Sequence, residues 1–273
     1  MAIKTIINGV ESTMLSVDDR GLHYGDGLFE TILVSNQQPQ LWEEHLARLF
    51  LGCEKLAIIK PHAETLYEEC LTLCQGQEKA VLKILITRGS GGRGYRPLTL
   101  EHAREPTRII QLHPYPSYPA ENWQKGIHLR LCQTPISEHP VLAGIKHINR
   151  LENVLARSEW NDEDIAEGVM TNQAGHWIEG TMSNIFLARA GKLYTPDLSR
   201  CGVQGIMRQQ VIKLADQLGI PCETCAIDNA FVQSVDEIFV TNSAIGLWPV
   251  RQFEENTYQI GPISTQLRKT LIS

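Results

Sequence analysis

The chain has 273 residues, which is enough for one large domain or two smaller ones. Hydrophobic residues make up 42% of it and charged residues 21%, a composition that argues against an intrinsically disordered chain. The formal net charge is −6 and no run rich in lysine or arginine occurs. Neither nucleic acid nor an anionic membrane is therefore a predicted partner.

The N-terminal sequence and the cysteine content indicate the cellular compartment of the protein. The first ten residues are too short and too polar for a signal peptide, and no run of about 18 apolar residues predicts a membrane span. The seven cysteines are odd in number and widely spread, which is typical of a reducing compartment. Cys222 and Cys225 form a C-x-x-C, but no further ligands follow at suitable spacing, so no metal site is predicted. We therefore expect a cytoplasmic protein.

The first part of the chain mixes strand and helix patterns. Strand patterns lie over 4–10, 29–35, 40–42, 80–87 and 107–112. Apolar residues at helical spacing predict helices over 43–56 and 63–74. This mixture predicts an α+β or α/β first domain. Three prolines at positions 114, 116 and 119 then favour an extended connector. We expect a first domain over 1–113, a linker over 114–122 and a second domain over 123–273.

The second domain has a strand pattern over 127–132 and further short strands separated by turn signals. Asn149, with Glu152 three residues later, is typical of a helix N-cap, and the apolar residues 151, 154 and 155 would form the inner face of that helix. A second helix is predicted from about 206 to 218, ended by Gly219. Many strands with two helices predict a barrel-like domain.

The segment Gly89–Gly94 has the spacing G-x-G-x-x-G and follows a predicted strand. A dinucleotide-binding site would also need a helix at the third glycine and an acidic residue about 20 positions later. Tyr95-Arg96-Pro97 follows instead of a helix, and the next strand ends in Leu112-His113 without an acid. Two interpretations remain: a flexible surface turn, and a loop whose Arg93 and backbone approach an anionic ligand.

Two charged residues lie among small and apolar neighbours. Lys146 follows Ala143-Gly144-Ile145, and burial there favours the neutral amine that Schiff-base chemistry requires. Glu179 lies between Ile178 and Gly180, where a buried carboxylate needs a cationic partner. The ordinary alternatives are a lysine whose amine reaches water and a glutamate paired with an arginine.

Two features could bind a phosphate. Gly205 precedes Ile206 and Met207 at the start of a predicted helix, where the first amides lack partners within the helix and attract anions. Arg48 lies on the first predicted helix, three residues after His45. The alternatives are an ordinary glycine-started helix and a surface arginine.

The order and spacing of these pieces resemble the fold-type IV pyridoxal-phosphate (PLP) enzymes, which include branched-chain and D-amino-acid aminotransferases and aminodeoxychorismate lyases. The resemblance covers nearly the whole chain. The residues that carry it are Asp18–Gly21, Tyr24–Glu30, His45 with Arg48-Leu49, Lys146, Glu179 with Ser183-Asn184, Gly205-Ile206 with Arg208, and Asn242-Ser243 with Pro249.

Three segments resemble the lyase branch more than the aminotransferases. They are Arg88–Tyr95, Leu142–Glu152 and Gly202–Gln209, whereas Phe29-Glu30-Thr31 resembles the aminotransferases. The resemblance implies conversion of 4-amino-4-deoxychorismate, a dicarboxylate, to 4-aminobenzoate and pyruvate in folate biosynthesis. A D-amino-acid or branched-chain aminotransferase is the alternative, and a nucleotide-binding protein that uses the glycine loop is the alternative from another class.

The resemblance also implies the cofactor, PLP, and its partners in the chain. Lys146 would be the Schiff-base lysine, and Glu179 would hold the pyridine nitrogen protonated. The residues that would bind the cofactor phosphate are Arg48, Ile206 and Met207 through their amides, and the region of Ser243.

Arg93 and Tyr95 would meet the substrate carboxylate. Because their loop can reach the partner subunit's site in this family, the resemblance implies a homodimer. It also implies a two-domain α+β fold, with an N-terminal α/β sandwich-like domain, a C-terminal pseudo-barrel domain and the cofactor at the interface.

Overall fold

The structure, a computed structural model, describes residues 4–99, 102 and 105–272. The chain divides into two compact units. The first comprises Met1–Pro116 and Ile145–Asn149, and the second comprises Ser117–Gly144 and Arg150–Ser273. The break after Pro116 falls inside the proline-rich segment 114–122. The sequence predicted two contiguous domains and did not predict that Ile145–Asn149 belongs to the first unit. This segment joins the first unit through backbone hydrogen bonds to a strand that is distant in sequence.

The first unit is built on a six-stranded sheet. Its strands are β1 (Lys4–Ile7), β2 (Val10–Glu11), β3 (Gly27–Ser35), β4 (Gln38–Pro39), β5 (Lys79–Thr87) and β6 (Thr107–Pro114). They lie in the order β2-β1-β6-β5-β3-β4, and every neighbouring pair is antiparallel. Successive side chains of a strand point to opposite faces, and in β3 Leu28, Ile32 and Val34 are buried.

Among its described residues, the first unit also has three helices: α1 (Arg20–Tyr24), α2 (Trp42–Leu56) and α3 (Ala63–Cys74). Helices α2 and α3 pack on the sheet through apolar faces that include Leu49, Cys53, Leu66 and Cys70. Both helices predicted from apolar spacing are confirmed. Short α1 begins after Asp19, whose carboxylate accepts a hydrogen bond of 2.7 Å from the amide of Gly21.

Two strand predictions in this unit are wrong in detail, each because the backbone turns. The pattern over 4–10 predicted one strand, but Asn8 and Gly9 have φ of +50° and +82°, so the chain reverses between β1 and β2. The pattern over 40–42 predicted a strand, but Leu41 has φ of +52° and helix α2 begins at the next residue.

The second unit is built on a nine-stranded sheet. Its strands are β7 (Ile127–Leu131), β8 (Ile165–Thr171), β9 (Trp177–Gly180), β10 (Asn184–Arg189), β11 (Lys192–Pro196), β12 (Cys222–Cys225), β13 (Glu237–Asn242), β14 (Gly246–Phe253) and β15 (Asn256–Thr257). The order is β12-β11-β10-β13-β14-β7-β8-β9, with β15 paired to β14. Strand β7 is parallel to β14 and β8, and β11 is parallel to β12.

The sheet of the second unit curls back on itself. Strand β9, at one end of the order, lies near β10 and β11, and the amide of Trp177 donates 2.8 Å to the carbonyl of Ile227, just after β12. Strand β10 carries the apolar run Ile185-Phe186-Leu187-Ala188, which is buried throughout, as is typical of a strand covered on both faces. The curled sheet agrees with the barrel-like second domain expected from the sequence.

The described part of the second unit also contains five helices: α4 (Glu121–Gln124), α5 (Leu151–Arg157), α6 (Ile206–Gln217), α7 (Asn229–Val232) and α8 (Pro262–Ile272). Helices α6 and α8 pack on the outer side of β13, where Phe186 and Phe239 stack with ring centroids 5.1 Å apart. The predicted helix from 206 is confirmed.

The start of α5 differs from the prediction. The helix begins at Leu151 after Arg150, which makes no side-chain capping bond. The expected cap, Asn149, instead donates 2.7 Å from its Nδ2 to the carbonyl of Gly25 within the first unit. The face expected to be buried is exposed in the single chain, with exposed fractions of 70% for Leu151, 57% for Val154 and 54% for Leu155.

Within the described part of the chain, no helix combines the length and the hydropathy needed to cross a membrane.

Candidate active site

Lys146 is held beside an aromatic ring in the first unit. The amide of Phe29 donates 2.9 Å to the carbonyl of Lys146, and the amide of Ile148 donates 3.1 Å to the carbonyl of Gly27. These bonds attach the segment 145–149 to the start of β3. The Lys146 Nζ atom lies 4.4 Å from the centroid of the Phe29 ring, and the side chain is half-buried.

A second ammonium, on Lys83 of β5, lies 5.6 Å from the centroid of the same ring. Sequence reasoning did not single out Lys83. Strand alternation could have found it, because Lys83 pairs with Thr31, two residues along β3 from Phe29 on the same half-buried face. The Phe29 ring is therefore in contact range of two lysines.

Arg48 lies on α2 in a buried triad with Glu30 and His45. Its Nε donates 2.8 Å to Glu30 Oε1, its Nη2 contacts Oε2, and Nδ1 of His45 lies 2.7 Å from Oε2. Burial alone would raise the pKa of Glu30, but the charge of Arg48 and the hydrogen bonds from His45 and Arg48 lower the pKa to about 2. The sequence pointed to Arg48 as a phosphate ligand but not to its carboxylate partner, which is 18 residues away.

The glycine loop is anchored by Arg20, which the sequence analysis did not identify as functional. Its guanidinium donates 2.9 Å to the carbonyl of Gly94 and 3.1 Å to that of Tyr95, while its Nε donates 2.9 Å to Asp26. Arg88 holds the same Asp26 carboxylate with bonds of 2.7 and 3.0 Å. The backbone at the end of this loop is therefore bonded to Arg20, which favours the interpretation of Gly89–Gly94 as a loop that approaches a ligand.

The side chains of Arg93 and Tyr95 are exposed on this loop, Tyr95 at 88%. The Tyr95 ring contacts the Tyr24 ring with centroids 5.4 Å apart. Both predicted substrate-binding side chains are thus presented by an anchored backbone and remain available for contact with a ligand.

Glu179 lies on β9 of the second unit and is only 4% exposed. Its Oε2 accepts a 2.7 Å hydrogen bond from the amide of Val203. The close approach needs Gly202, which has φ of +80° and whose added Cβ would lie 2.9 Å from Ile178. A buried carboxylate with an amide on one oxygen is suited to a cationic N–H donor.

Helix α6 has no side-chain cap, because its N-cap is Gly205. Its first residues, Ile206 and Met207, are buried. A Cβ at Gly205 would lie 1.9 Å from Oδ1 of Asn184, and Nδ2 of Asn184 donates 2.9 Å to the carbonyl of Val203. Asn184 therefore fixes the chain that leads into α6.

Ser243 lies in the turn after β13. Asn242 shapes this turn by accepting 2.8 Å from the amide of Ala244 and 2.9 Å from that of Ile245. Asn184 pairs with Thr241, the residue just before Asn242. The start of α6 and the Ser243 turn are thus both joined to Asn184, and the predicted phosphate ligands of the second unit come from neighbouring segments.

These residues fit the cofactor that the sequence implied. In the second unit the segment 203–205 binds a buried carboxylate at its first amide and leads directly into an uncapped helix start at Ile206. A molecule with a basic ring nitrogen and a phosphate matches such a donor and acceptor set. In the first unit Lys146 supplies the amine that an aldehyde requires.

Comparisons with known proteins agree with this chemistry. The family model of class IV aminotransferases matches residues 27–253. An aminodeoxychorismate lyase of Vibrio harveyi is 33% identical over 269 residues, covering 97% of this chain and 98% of that protein. The crystal structure of 4-amino-4-deoxychorismate lyase from Pseudomonas aeruginosa has a TM-score of 0.93 and 43% identity, covering 98% and 97% of the two chains. A putative branched-chain-amino-acid aminotransferase of Methanocaldococcus jannaschii is 28% identical, covering 98% and 94%.

Proposed function

Because the chain belongs to the class IV aminotransferase family, we propose that it is a PLP-dependent lyase that converts 4-amino-4-deoxychorismate to 4-aminobenzoate and pyruvate. The observation that carries the proposal is the similarity to two lyases of this name, each matched over nearly its whole length. The Pseudomonas aeruginosa lyase shares more of this sequence than the putative aminotransferase does.

The residues of the chain have distinct tasks in binding. The residues that would hold the cofactor phosphate are Ile206 and Met207 through their amides, the Ser243 turn and Arg48. The Glu179 carboxylate, held in place by the Val203 amide, keeps a proton on the cofactor's ring nitrogen. Gly144 lies two residues before Lys146 in the chain and forms a β-bridge with Val203, whose amide binds Glu179. The loop of Val203 is therefore linked both to Glu179 and to the segment that leads to Lys146.

Bound PLP supplies an electron sink for the carbon that carries the substrate amine. The Lys146 amine would hold the cofactor through its aldehyde group. The free Lys146 amine would remove the proton from the amine-bearing ring carbon of the substrate. The enolpyruvyl oxygen then leaves, the ring becomes aromatic, and protonation turns the released enolpyruvate into pyruvate. Arg93 and Tyr95 hold a substrate carboxylate.

The second candidate function is an aminotransferase of D- or branched-chain amino acids. The run Phe29-Glu30-Thr31 and the similarity to the Methanocaldococcus protein favour it. The distinction lies in the fate of the proton that Lys146 removes, since an aminotransferase returns it to the cofactor and releases a keto acid.

We also propose a homodimer and a cytoplasmic location. The exposed apolar side chains of Leu151, Val154 and Leu155 form a continuous face on α5, as expected of an interface between subunits. All seven cysteines are free, which suits a reducing compartment.

A coupled assay tests the function. The purified protein loaded with PLP should convert the amino-chorismate substrate to 4-aminobenzoate and pyruvate in equal amounts, read by fluorescence and by lactate dehydrogenase. Lys146→Ala should give no product and no borohydride-fixed cofactor, whereas Lys83→Ala should still fix the cofactor. Keto acid from an amino donor, without 4-aminobenzoate, would identify the aminotransferase instead. A colourless protein that binds nucleotide would exclude both.

A further inference from the structure

A second buried carboxylate, that of Glu167 on β8, lies under the turn that follows Glu179. Glu167 is 1% exposed. Its Oε1 accepts from the Thr181 amide at 3.0 Å, the Thr181 hydroxyl at 2.6 Å and the Gly168 amide at 2.9 Å. Its Oε2 accepts from the Met182 amide at 3.2 Å and the Ser183 hydroxyl at 2.7 Å. Four of its five hydrogen-bond donors thus belong to the segment 181–183.

The wrapping of this turn around the carboxylate depends on a glycine. A Cβ at Gly180 would lie 2.4 Å from Oγ of Ser183 and 2.8 Å from Oε2 of Glu167. The amide of Gly180 donates 2.7 Å to the carbonyl of Ser183, which closes the turn. The conformation of the turn is therefore set by the Glu167 carboxylate and the missing side chain together.

The turn connects the segments assigned to cofactor binding in the second unit. Glu179 lies two residues before Thr181, the first residue of the segment 181–183. Asn184, which fixes the entry to α6, follows Ser183 directly. Asn242, which shapes the Ser243 turn, donates 3.0 Å from its Nδ2 to the carbonyl of Met182. A shift of this turn would displace the Glu179 carboxylate, the start of α6 and the Ser243 turn at once.

Burying the Glu167 carboxyl group beneath this turn costs free energy. Burial raises the pKa of Glu167, and the hydrogen bonds from Thr181, Ser183 and the neighbouring amides only partly oppose the effect. Among the residues that the structure describes, none of the donors to Glu167 is a lysine or arginine. The carboxyl group is thus held by neutral donors alone, with no basic side chain among them to offset the cost of its burial.

We propose that Glu167 is a positioning residue for the cofactor: its carboxylate fixes the segment 181–183 so that Glu179, the α6 start and the Ser243 turn match bound PLP. This inference rests on the proposed function. Glu167 touches neither cofactor nor substrate in this proposal, and it acts through the turn.

The experiment measures PLP affinity and thermal unfolding of the full chain in the same variants. Glu167→Gln keeps the size of the side chain but replaces one acceptor oxygen with a donor, which faces other donors. We expect its dissociation constant for PLP to rise by about tenfold or more. Thr181→Val removes one hydroxyl donor and should raise the constant by a few-fold, which keeps the test informative if Glu167→Gln does not fold.

Glu237→Gln is the matched control. Glu237 is also a buried carboxylate, 4% exposed, and it accepts from the amides of Ile263 and Ser264 and the Ser264 hydroxyl at the start of α8. We expect this variant to unfold at a lower temperature and to keep its PLP affinity within about twofold.

The outcomes separate the two proposals. If the parent protein binds PLP but both Glu167→Gln and Thr181→Val bind it as tightly, the positioning role is overturned. Equal losses of affinity in Glu167→Gln and Glu237→Gln would overturn it too, because the effect would then be one of general stability. If the parent protein itself does not bind PLP, the proposed function fails.

Discussion

Glu30 is buried between two basic side chains, and the energy of this arrangement depends on all three groups. Arg48 contacts both carboxylate oxygens and His45 lies 2.7 Å from one of them. The spacing of His45 and Arg48 on one helix face is visible in the sequence. Their pairing with Glu30 was not predictable, because it depends on how α2 packs over β3.

Replacing Glu30 by glutamine should destabilise the protein strongly. In the cofactor-free protein, Glu30→Gln leaves the buried Arg48 guanidinium without a countercharge, and we expect the free energy of unfolding at pH 7 to fall by about 3–5 kcal/mol. Urea denaturation measures this change. Glu54→Gln, which removes an exposed partner of Lys60, is the control and should cost less than about 1 kcal/mol.

The pH dependence of the same variant gives an independent check. The folded-state pKa of Glu30, about 2, lies below the ordinary value of 4.5. Its stabilisation is therefore complete above pH 4.5 and is lost as the pH falls towards 2. The loss corresponds to roughly 3 kcal/mol. Glu30→Gln should lack this part of the acid sensitivity, and an unchanged slope would contradict the assignment.

At the scale of elements, the glycine loop shows what a motif can and cannot reveal. The spacing of Gly89–Gly94 and the absence of a following helix were sufficient to reject a dinucleotide site. The anchor could not be predicted, since Arg20 lies about 75 residues away and donates to backbone carbonyls that carry no sequence signature. Amphipathic helices such as α2 and α3 were predictable because apolar spacing alone determines their buried face.

Two glycines of this loop should respond differently to the same substitution. Gly92 has φ of +79° and an added Cβ would lie 2.6 Å from the carbonyl of Arg96, whereas Gly94 has φ of +60° and nothing within 4 Å. Gly94→Ala should therefore cost only backbone strain, about 1 kcal/mol, and Gly92→Ala should also displace the loop. We expect Gly92→Ala to raise the KM for the dicarboxylate substrate by roughly tenfold with a smaller change in kcat.

Steady-state kinetics of Gly92→Ala and Gly94→Ala, measured under the same conditions, tests whether the loop backbone positions the substrate. Gly94→Ala serves as the control because it introduces the same methyl group into open space. Equal KM values in the two variants would mean that the backbone geometry of the loop does not position the Arg93 and Tyr95 side chains.

At the scale of the whole molecule, the sequence predicted two domains of mixed α and β structure, and the family comparisons and the fold agree. It did not predict that Ile145–Asn149 belongs to the first unit. A contiguous reading assigns residues by their neighbours in sequence, but the backbone hydrogen bonds of Lys146 and Ile148 go to β3, more than 100 residues earlier. Periodicity carries no information on such long-range pairing.

The exposed face of α5 gives the last prediction, on the number of chains in the assembly. Leu151 and Leu155 are one helical turn apart, and both expose more than half of their surface. If this face is the proposed dimer interface, Leu151→Glu/Leu155→Lys should break the dimer, while the new pair supports the helix of the free chain. We expect the parent protein to have twice the 30.7 kDa mass of one chain by light scattering, and the variant to have the mass of one chain.

The choice of control makes this test specific to α5. Leu51 on α2 is an apolar side chain with an exposed fraction of 45%, and Leu51→Glu should leave the mass unchanged. Because the family resemblance implies that the loop of Arg93 and Tyr95 can reach the partner's site, the α5 variant should also lose most of its lyase activity at low substrate concentration. A parent protein with the mass of one chain at micromolar concentration, yet fully active, would show that a single chain carries the complete site.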